Sequence, residues 1–209
     1  MDNKKILMPT IVAIVTLVMI TVGATYAYFT VTATSNFGTK TITATTPDLG
    51  SVALAAGKNL TMTLTATQMM KQSSDVTYYA SENGATTTAT TANIGTATVT
   101  GAGTFSCTYD LTITDNDNSL YDAFQSMSGK STGQIVLTVN GQSFDFNTAS
   151  LFPKTLTGVS MTGLTSSSSK NITAQLKFVN KSNVDQTALQ NKTITLTFSV
   201  ANFKCTATA

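Results

Sequence analysis

Alternation of apolar and polar residues is the pattern that repeats along this chain. It is clearest over residues 105–114, where every odd-numbered residue is apolar and every even-numbered residue is polar. Successive side chains of a β-strand point to opposite faces, so this segment predicts a strand with one buried and one solvated face. The same alternation predicts strands over residues 60–64, 172–178 and 194–200.

A β-hairpin is predicted around Asn140-Gly141. An Asn-Gly pair suits a two-residue type I′ turn, because both central positions of that turn need a positive φ. Such a turn pairs Val139 with Gln142. It then sets four large side chains opposite one another on a single face, Leu137 with Phe144 and Ile135 with Phe146.

A break in the alternation is predicted close to the end of the last strand. The apolar positions are even-numbered up to Val200 and then move to Phe203 and Cys205. A change of parity within a strand requires an extra residue, so we expect a bulge or the strand's end near Ala201-Asn202.

The fold class follows from many strand segments and few helical ones. Short helices are predicted over residues 67–72 and 120–127, the second capped by Asn118 or Ser119. Residues 28–209 are therefore expected to form a single all-β domain. The predicted architecture is a two-sheet antiparallel sandwich, jelly-roll-like, with one or two short connecting helices and preceded by an N-terminal signal helix.

The N-terminal residues are typical of an export signal. Lys4 and Lys5 precede an uncharged stretch over residues 6–23, and small residues follow it. Thr25 and Ala27 suit the two small-residue positions before a signal peptidase cut, so residues 1–27 are predicted to be a signal peptide. A retained membrane anchor is the alternative, because about 18 apolar residues come close to the ~17–25 that span a bilayer. Either hypothesis places residues 28–209 outside the cytoplasm, at the cell surface or in the medium, after export through the general secretory route.

Composition narrows the function classes. Charged residues make up 11% of the chain and the formal net charge is +2, so no basic surface for nucleic acid is expected. The chain contains no histidine, which removes the His-based zinc sites and the Ser-His-Asp and Cys-His arrangements of many hydrolases. We therefore expect no enzymatic activity and no cofactor. The membrane is expected to be a partner only through the signal segment.

The two cysteines of the chain, Cys107 and Cys205, are predicted to form one disulfide. An even number of cysteines in an exported protein favours a bond, which in the chain-entropy model stabilises a loop of about 100 residues by on the order of 4–5 kcal/mol. Two free thiols are the alternative, since many secreting bacteria form few disulfides.

One cluster of carboxylates offers weak metal-ligand candidates. Asp115 and Asp117 alternate with asparagines, and Asp122 follows them closely. Oxygen ligands at alternating positions suit calcium, but Leu120 and Ser126 stand where an EF-hand loop needs glycine and glutamate. A polar turn leading into a helix is the simpler interpretation.

Three segments resemble a known family. Residues 23–30, with the sequence GATYAYFT, are similar to the export signals of camelysin and TasA-type proteins, which Gram-positive bacteria secrete through a SipW-type signal peptidase. Weaker similarity covers residues 37–49, in which residues 42–49 resemble the family's second strand and turn, and residues 189–198. The resemblance implies a jelly-roll fold and a role in the biofilm matrix or the cell envelope. It also implies that an N-terminal strand can complete the sheet of a neighbouring subunit and build a fibre.

The segment that would act as this assembly strand is residues 28–34. Phe29, Val31 and Ala33 share one face of it, and it carries no charge to discourage pairing at a sheet edge. The sequence thus favours a secreted structural protein that self-associates, or associates with other matrix or surface proteins. Two alternatives stay open, an ordinary strand paired within its own domain and a monomeric envelope module that binds a ligand or another surface protein.

The predicted cleavage site can be checked directly. N-terminal sequencing of the secreted protein is expected to begin at Tyr28. Replacement of Ala27 by arginine is expected to leave the precursor in the membrane fraction, because signal peptidase needs a small side chain there. A secreted protein that starts at Met1, or beyond Ala33, contradicts the prediction.

Overall fold

The alternating segments of the sequence form two antiparallel β-sheets in a computed structural model, which describes residues 29–31, 35–36, 41–46, 50–81 and 84–208. Side chains are described over residues 50–81 and 85–207. The predicted signal helix, over residues 1–27, lies outside the described residues. All pairings between the described strands are antiparallel, as the sequence predicts.

The first sheet contains the two longest strands. Its members are β1 (Phe29–Val31), β2 (Ser35–Asn36), β5 (Leu60–Thr63), β9 (Thr104–Asp117), β12 (Lys154–Leu164) and β14 (Thr193–Thr208). The order across the sheet is β1-β14-β9-β12, and β2 and β5 pair with β14 beside β1. Three short strands therefore lie along one edge of β14, while β9 occupies the other edge.

The second sheet contains eight strands. They are β3 (Thr41–Thr46), β4 (Gly50–Ala56), β6 (Val76–Ser81), β7 (Gly84–Thr86), β8 (Ala92–Thr100), β10 (Ile135–Val139), β11 (Gln142–Asp145) and β13 (Lys170–Asn180). The order is β11-β10-β13-β8-β4-β3, and β6 pairs with β13 and with β7. The ends of this order are β11 and β3.

Buried side chains from both sheets form one hydrophobic core, which gives the fold its β-sandwich character. In β9 the apolar side chains of the alternation are all buried: Phe105, Cys107, Tyr109, Leu111 and Ile113. Each buried side chain of this size contributes roughly 1.5–3 kcal/mol through removal of apolar surface from water. The period-2 pattern of the sequence therefore marks the core side of the strand correctly.

The predicted hairpin is confirmed in its register. Val139 pairs with Gln142 and Leu137 with Phe144 across the turn. Asn140 and Gly141 have φ of 47° and 80°, the positive values that a type I′ turn needs. The Phe146 N–H donates to the Ile135 carbonyl, so the pairing continues past the end of β11.

The helices are as short as the sequence predicts, but their ends differ. Helix α1 (Ala66–Met69) stops before residue 72, and the Asn180 side chain donates hydrogen bonds to the Gln68 and Met70 carbonyls at its end. Helix α2 (Ser119–Ser126) has Asn118 at its N-cap without a side-chain capping bond. Asn118 is therefore the N-cap residue, as one of the two predicted alternatives has it, but the expected side-chain capping bond is not formed.

The reason is that other groups satisfy the backbone at this helix end. The Asp117 carboxylate accepts a hydrogen bond from the Ser119 N–H. The Ser119 hydroxyl donates to the Thr193 carbonyl and accepts from the Thr193 N–H, which anchors the start of β14. A single 3-10 turn, Thr187–Leu189, precedes β14.

Asn140 links the two sheets through its side chain. Its Nδ2 donates to the hydroxyl of Tyr109 in the first sheet at 2.9 Å, and its Oδ1 accepts from the Thr173 N–H in the second sheet at 3.1 Å. Burial raises the pKa of Tyr109 to about 12, against the opposite effect of the hydrogen bond from Asn140. The buried phenol therefore stays protonated at neutral pH.

Replacing Asn140 by glycine is expected to destabilise the protein. Glycine keeps the positive φ of the turn but leaves the buried Tyr109 hydroxyl without this donor, which costs about 1–3 kcal/mol. Denaturant unfolding measures the loss. Tyr109→Phe is the matched control: in its background the Asn140→Gly change is expected to cost less, and equal costs in both backgrounds contradict the link.

Candidate functional site

The assembly strand predicted from the sequence lies at an edge of the first sheet. Strand β1 pairs antiparallel with the end of β14 through three residue pairs, Phe29 with Cys205, Thr30 with Lys204 and Val31 with Phe203. In the described part of the chain, no strand pairs with the other side of β1. It lies next to β3, which is itself the end strand of the second sheet.

The surface on which β1 pairs is the edge of β14 over residues 199–205, called here the docking edge. Its first part pairs with β2, through Ser199 with Asn36 and Val200 with Ser35. Its last part, Phe203–Cys205, pairs with β1. The docking edge is thus covered by five paired residues from two very short strands.

A β-bulge sits in the middle of the docking edge. Ala201 pairs with Asp110 of β9 and Lys204 pairs with Thr108, so two residues of β14 lie opposite Tyr109. Asn202, the first of the two, has φ of 52°, a left-handed conformation that asparagine tolerates better than most residues. The bulge predicted near Ala201-Asn202 is confirmed.

The bulge resets which side of β14 faces the core. Phe203 and Cys205 are buried after it, as Phe198 and Val200 are before it. Lys204 between them is exposed. The last residues of β14 therefore still have one side buried in the core, and β14 continues as a strand where it pairs with β1.

The disulfide lies beside the docking edge. Cys107 and Cys205 are directly paired across β9 and β14, with a Cα–Cα distance of 4.0 Å and their sulfur atoms bonded. Both side chains are buried. This bond closes a chain segment of 98 residues and fixes to β9 the part of β14 that holds β1.

Asp110 accepts hydrogen bonds from two bulges, one in each strand that neighbours β9. Its Oδ2 accepts a hydrogen bond from Asn202 Nδ2 at 2.6 Å, in the bulge of β14. Its Oδ1 accepts from the Gly158 N–H at 2.8 Å, in β12 on the other side of β9. These hydrogen bonds, and the nearby charge of Lys204, hold the pKa of Asp110 below its usual value.

The opposite edge of the first sheet is irregular. Strand β12 pairs with β9 on one side, and its register shifts between Leu156 and Val159 and again between Met161 and Leu164. Gly158 and Gly163 lie in these interruptions with φ of 62° and 66°. Bulges at an edge discourage pairing with another strand. Within the first sheet, the β12 edge has two such interruptions and the docking edge has one, so the β12 edge is the less suited of the two to strand addition.

The described residues account for only part of the predicted site. Phe29 and Val31 are placed through their backbone pairing with β14. Ala33 and the predicted cleavage residues Thr25 and Ala27 lie outside the described residues. The parts of the chain that the structure describes contain no helix long and apolar enough to cross a membrane.

The weak metal candidates lie at the end of β9 and in α2. Asp115 pairs with Leu196 and Asp117 with Thr195, and Asp122 is in the first turn of α2. Over the described ranges, no group of three or more Asp, Glu, Cys or His side chains is placed to hold one metal ion. Asp117 instead accepts the Ser119 N–H, which is the arrangement of a polar turn.

A buried group of amide side chains closes one end of the sandwich. Gln134 Nε2 donates to Gln186 Oε1, and Gln186 Nε2 donates to Asn180 Oδ1 at 2.8 Å. Among the described side chains, no buried nitrogen or oxygen atom lacks a hydrogen-bond partner. The amides are neutral and mutually satisfied, so they stabilise the loops of this end and offer no nucleophile.

Sequence reasoning missed Asp110, Asn202 and Asn140 as structural side chains. The alternation marks Asp110 only as a polar residue of a solvated face. Its partners lie 48 and 92 residues away along the chain, so no local signal identifies them. For Asn140 the turn motif explains the backbone, but the contact with Tyr109 depends on how the sheets pack.

Comparison of the chain with protein-family models, with curated proteins and with solved structures finds no match. The resemblance to camelysin and TasA-type proteins therefore stays a prediction.

Asp110→Asn is expected to lower the free energy of unfolding at neutral pH and to weaken its dependence on pH in the acidic range. The folded-state pKa of Asp110 lies below the ordinary value of an aspartate, chiefly because of the hydrogen bond from Asn202. Its ionised form thus stabilises the fold above the unfolded pKa, and this contribution is lost as pH falls through the folded pKa. Chemical unfolding between pH 6 and pH 2 is expected to show the gap between wild type and variant closing below about pH 4.

Asn202→Gly is the matched variant, because glycine keeps the positive φ of the bulge and removes the Nδ2 donor. It is expected to show the same closing gap, to a smaller extent, since Asp110 keeps the Gly158 N–H. A gap between wild type and Asp110→Asn that is constant across this pH range contradicts the role of Asp110.

Proposed function

We propose that this chain is a secreted structural protein of the extracellular matrix or cell envelope, a self-associating fibre subunit that uses residues 28–34 for strand addition. In this proposal the fold is a jelly-roll-like sandwich, and the N-terminal strand of one copy pairs with the docking edge of another. The observation that carries it is the position of β1, which is bonded to β14 on one side through three residue pairs.

A strand held in this way is suited to exchange between copies. The contacts that β1 makes with its own docking edge are the contacts that it can make with the same edge of a second copy, so exchange replaces equivalent hydrogen bonds. Three pairs on an open edge also give a small barrier to release, because few bonds break. Exchange of this kind is head-to-tail and leads to an open filament unless the ring closes.

The composition supports association. Charged residues make up only 11% of the chain, and residues 28–34 carry none. Natural proteins commonly use edge charges to prevent strand pairing between copies, and this segment lacks them. The register of β12 is interrupted twice and the docking edge once, which favours strand addition at the docking edge over the β12 edge.

The second candidate function is a monomeric envelope module. The observation that favours it is that β1 pairs with β14 of its own chain, and so covers the docking edge without a partner. The two functions differ in whether β1 pairs within one copy or between copies.

A mixing experiment separates them. Thr30 and Lys204 are directly paired, so a cysteine at each position places two thiols side by side. The Thr30→Cys and Lys204→Cys variants of the mature chain are mixed at high concentration and oxidised mildly. Strand addition is expected to give a disulfide-linked heterodimer on a non-reducing gel, and electron microscopy of the unmodified chain is expected to show filaments.

The matched control is Thr30→Cys mixed with Thr155→Cys, which places the second thiol on the β12 edge. This mixture is expected to give little heterodimer. Deletion of residues 28–34 is expected to leave a folded domain that forms no filament. A full-length protein that stays monomeric, with a melting temperature that collapses on this deletion, contradicts the fibre subunit and supports the envelope module.

A further inference from the structure

A long groove runs along the side of the sandwich opposite β1. Strand β12 of the first sheet forms one wall, and the β10–β11 hairpin of the second sheet forms the other. Its volume is about 760 Å³, within the range of ligand-binding clefts in proteins. The groove is separate from the docking edge, since it runs along β12 on one side of β9, and the docking edge is the far edge of β14 on the other side.

The charged groups of the groove are all positive. Lys154 and Lys170 line it, and none of its lining residues is Asp or Glu. Neither lysine forms a salt bridge with a carboxylate in the described part of the chain. An anion that entered the groove would therefore meet two ammonium groups without competition from an internal counter-ion.

The two lysines mark opposite ends of the groove. Lys154 Nζ lies 5.7 Å from the centre of the Phe144 ring and so reaches from β12 to the hairpin. Lys170 Nζ lies next to Gly163 of β12, 3.9 Å from the point where a Cβ atom on that glycine would be. Since Lys154 and Gly163 are nine residues apart on one strand, the ends are up to about 30 Å apart. A linear chain with repeated charges can contact both lysines across such a separation.

The walls between the lysines offer hydroxyl and amide groups. Thr157, Ser160 and Thr162 are exposed on β12, and Gln142 is exposed on the hairpin. The amides of Asn140 and Asn171, which also line the groove, are already engaged within the protein. Exposed hydroxyls and a free amide beside an aromatic ring suit a polar, hydroxyl-rich ligand better than an apolar one.

The backbone of β12 argues against an extended peptide in the groove. A peptide added as a strand needs a regular row of free N–H and C=O groups. The register of β12 against β9 shifts twice, and three consecutive paired residues, Val159–Met161, separate the shifts. A ligand recognised by side chains avoids this interruption.

We propose that the groove between β12 and the β10–β11 hairpin binds a linear anionic polysaccharide, with Lys154 and Lys170 contacting its charged groups. Such a site ties the protein to a charged glycan of its surroundings and leaves the docking edge free. It does not depend on the fibre function, because it uses the other side of the sandwich.

The test measures binding of a short dextran sulfate to the full mature chain by titration calorimetry, with uncharged dextran of the same length as the reference ligand. Wild type is expected to bind dextran sulfate and not dextran. The Lys154→Gln/Lys170→Gln double variant is expected to bind about tenfold more weakly or worse, since two charge-assisted contacts are lost.

The matched control is Lys71→Gln/Lys192→Gln, which removes the same charge from two exposed lysines outside the groove. It is expected to bind dextran sulfate within about twofold of wild type, because distant surface charges are screened by salt. Thermal melts check that both double variants are folded.

Three results overturn the proposal. One is that wild type does not bind dextran sulfate. The second is an equal loss of affinity in both double variants, which indicates attraction to overall charge. The third is that poly-L-glutamate binds more tightly and displaces dextran sulfate, which assigns the groove to an acidic peptide.

Discussion

The pairing of β9 with β14 is the constraint on which the rest of the structure depends. These are the longest strands of the described chain, and each holds other strands on its outer side, β12 on β9 and the three short strands on β14. The disulfide joins the pair directly, and Asp110 of β9 connects the bulges on both of its neighbours. Loss of the β9–β14 register would therefore displace the core face, the docking edge and one wall of the groove together.

The solvent-facing side of this sheet is polar although the chain has few charged residues. Threonine hydroxyls bond to one another across neighbouring strands, Thr63 with Thr193 at 2.9 Å and Thr112 with Thr155 at 3.1 Å. Such pairs stabilise a sheet modestly and keep its surface polar without charge. Neutral polar faces repel other copies less than charged faces do. The threonine-rich composition that favours strands therefore also favours association between copies.

Local patterns predicted local structure well. The alternation gave the strands and the buried face of β9, the Asn-Gly pair gave the register of the hairpin, and the parity change located the bulge near Asn202. With two cysteines only one intramolecular pairing exists. The strands, the hairpin and the bulge are each indicated by residues close in sequence, and the disulfide by the lack of any other pairing. None of these predictions required knowledge of how the two sheets pack.

The order of strands could not be predicted in the same way. Nothing in the alternation says that β1 joins the end of β14 or that β12 is an edge strand, because any strand with one apolar face satisfies the same pattern. The groove is equally hidden, since its walls come from two sheets and its lysines are ordinary surface residues in the sequence. Long-range topology decides these features.

Chain length limits how β1 can move between copies. Three residues, 32–34, connect β1 to β2, and they span at most about 14 Å from Val31 to Ser35 when fully extended. If β2 stays on its own β14, exchange of β1 alone therefore requires the docking edges of two copies to lie within that distance. If β2 moves as well, the hinge shifts to residues 37–40, and the span from Asn36 to Thr41 is at most about 18 Å.

If β3 keeps its pairing with β4 in the second sheet, both cases require close contact between neighbouring copies. In the proposed filament, the body of the domain would therefore set the distance between successive subunits. A short hinge also limits the orientations in which β1 reaches a second docking edge. Exchange therefore favours one regular arrangement of subunits over a branched network, which is the behaviour that a fibre requires.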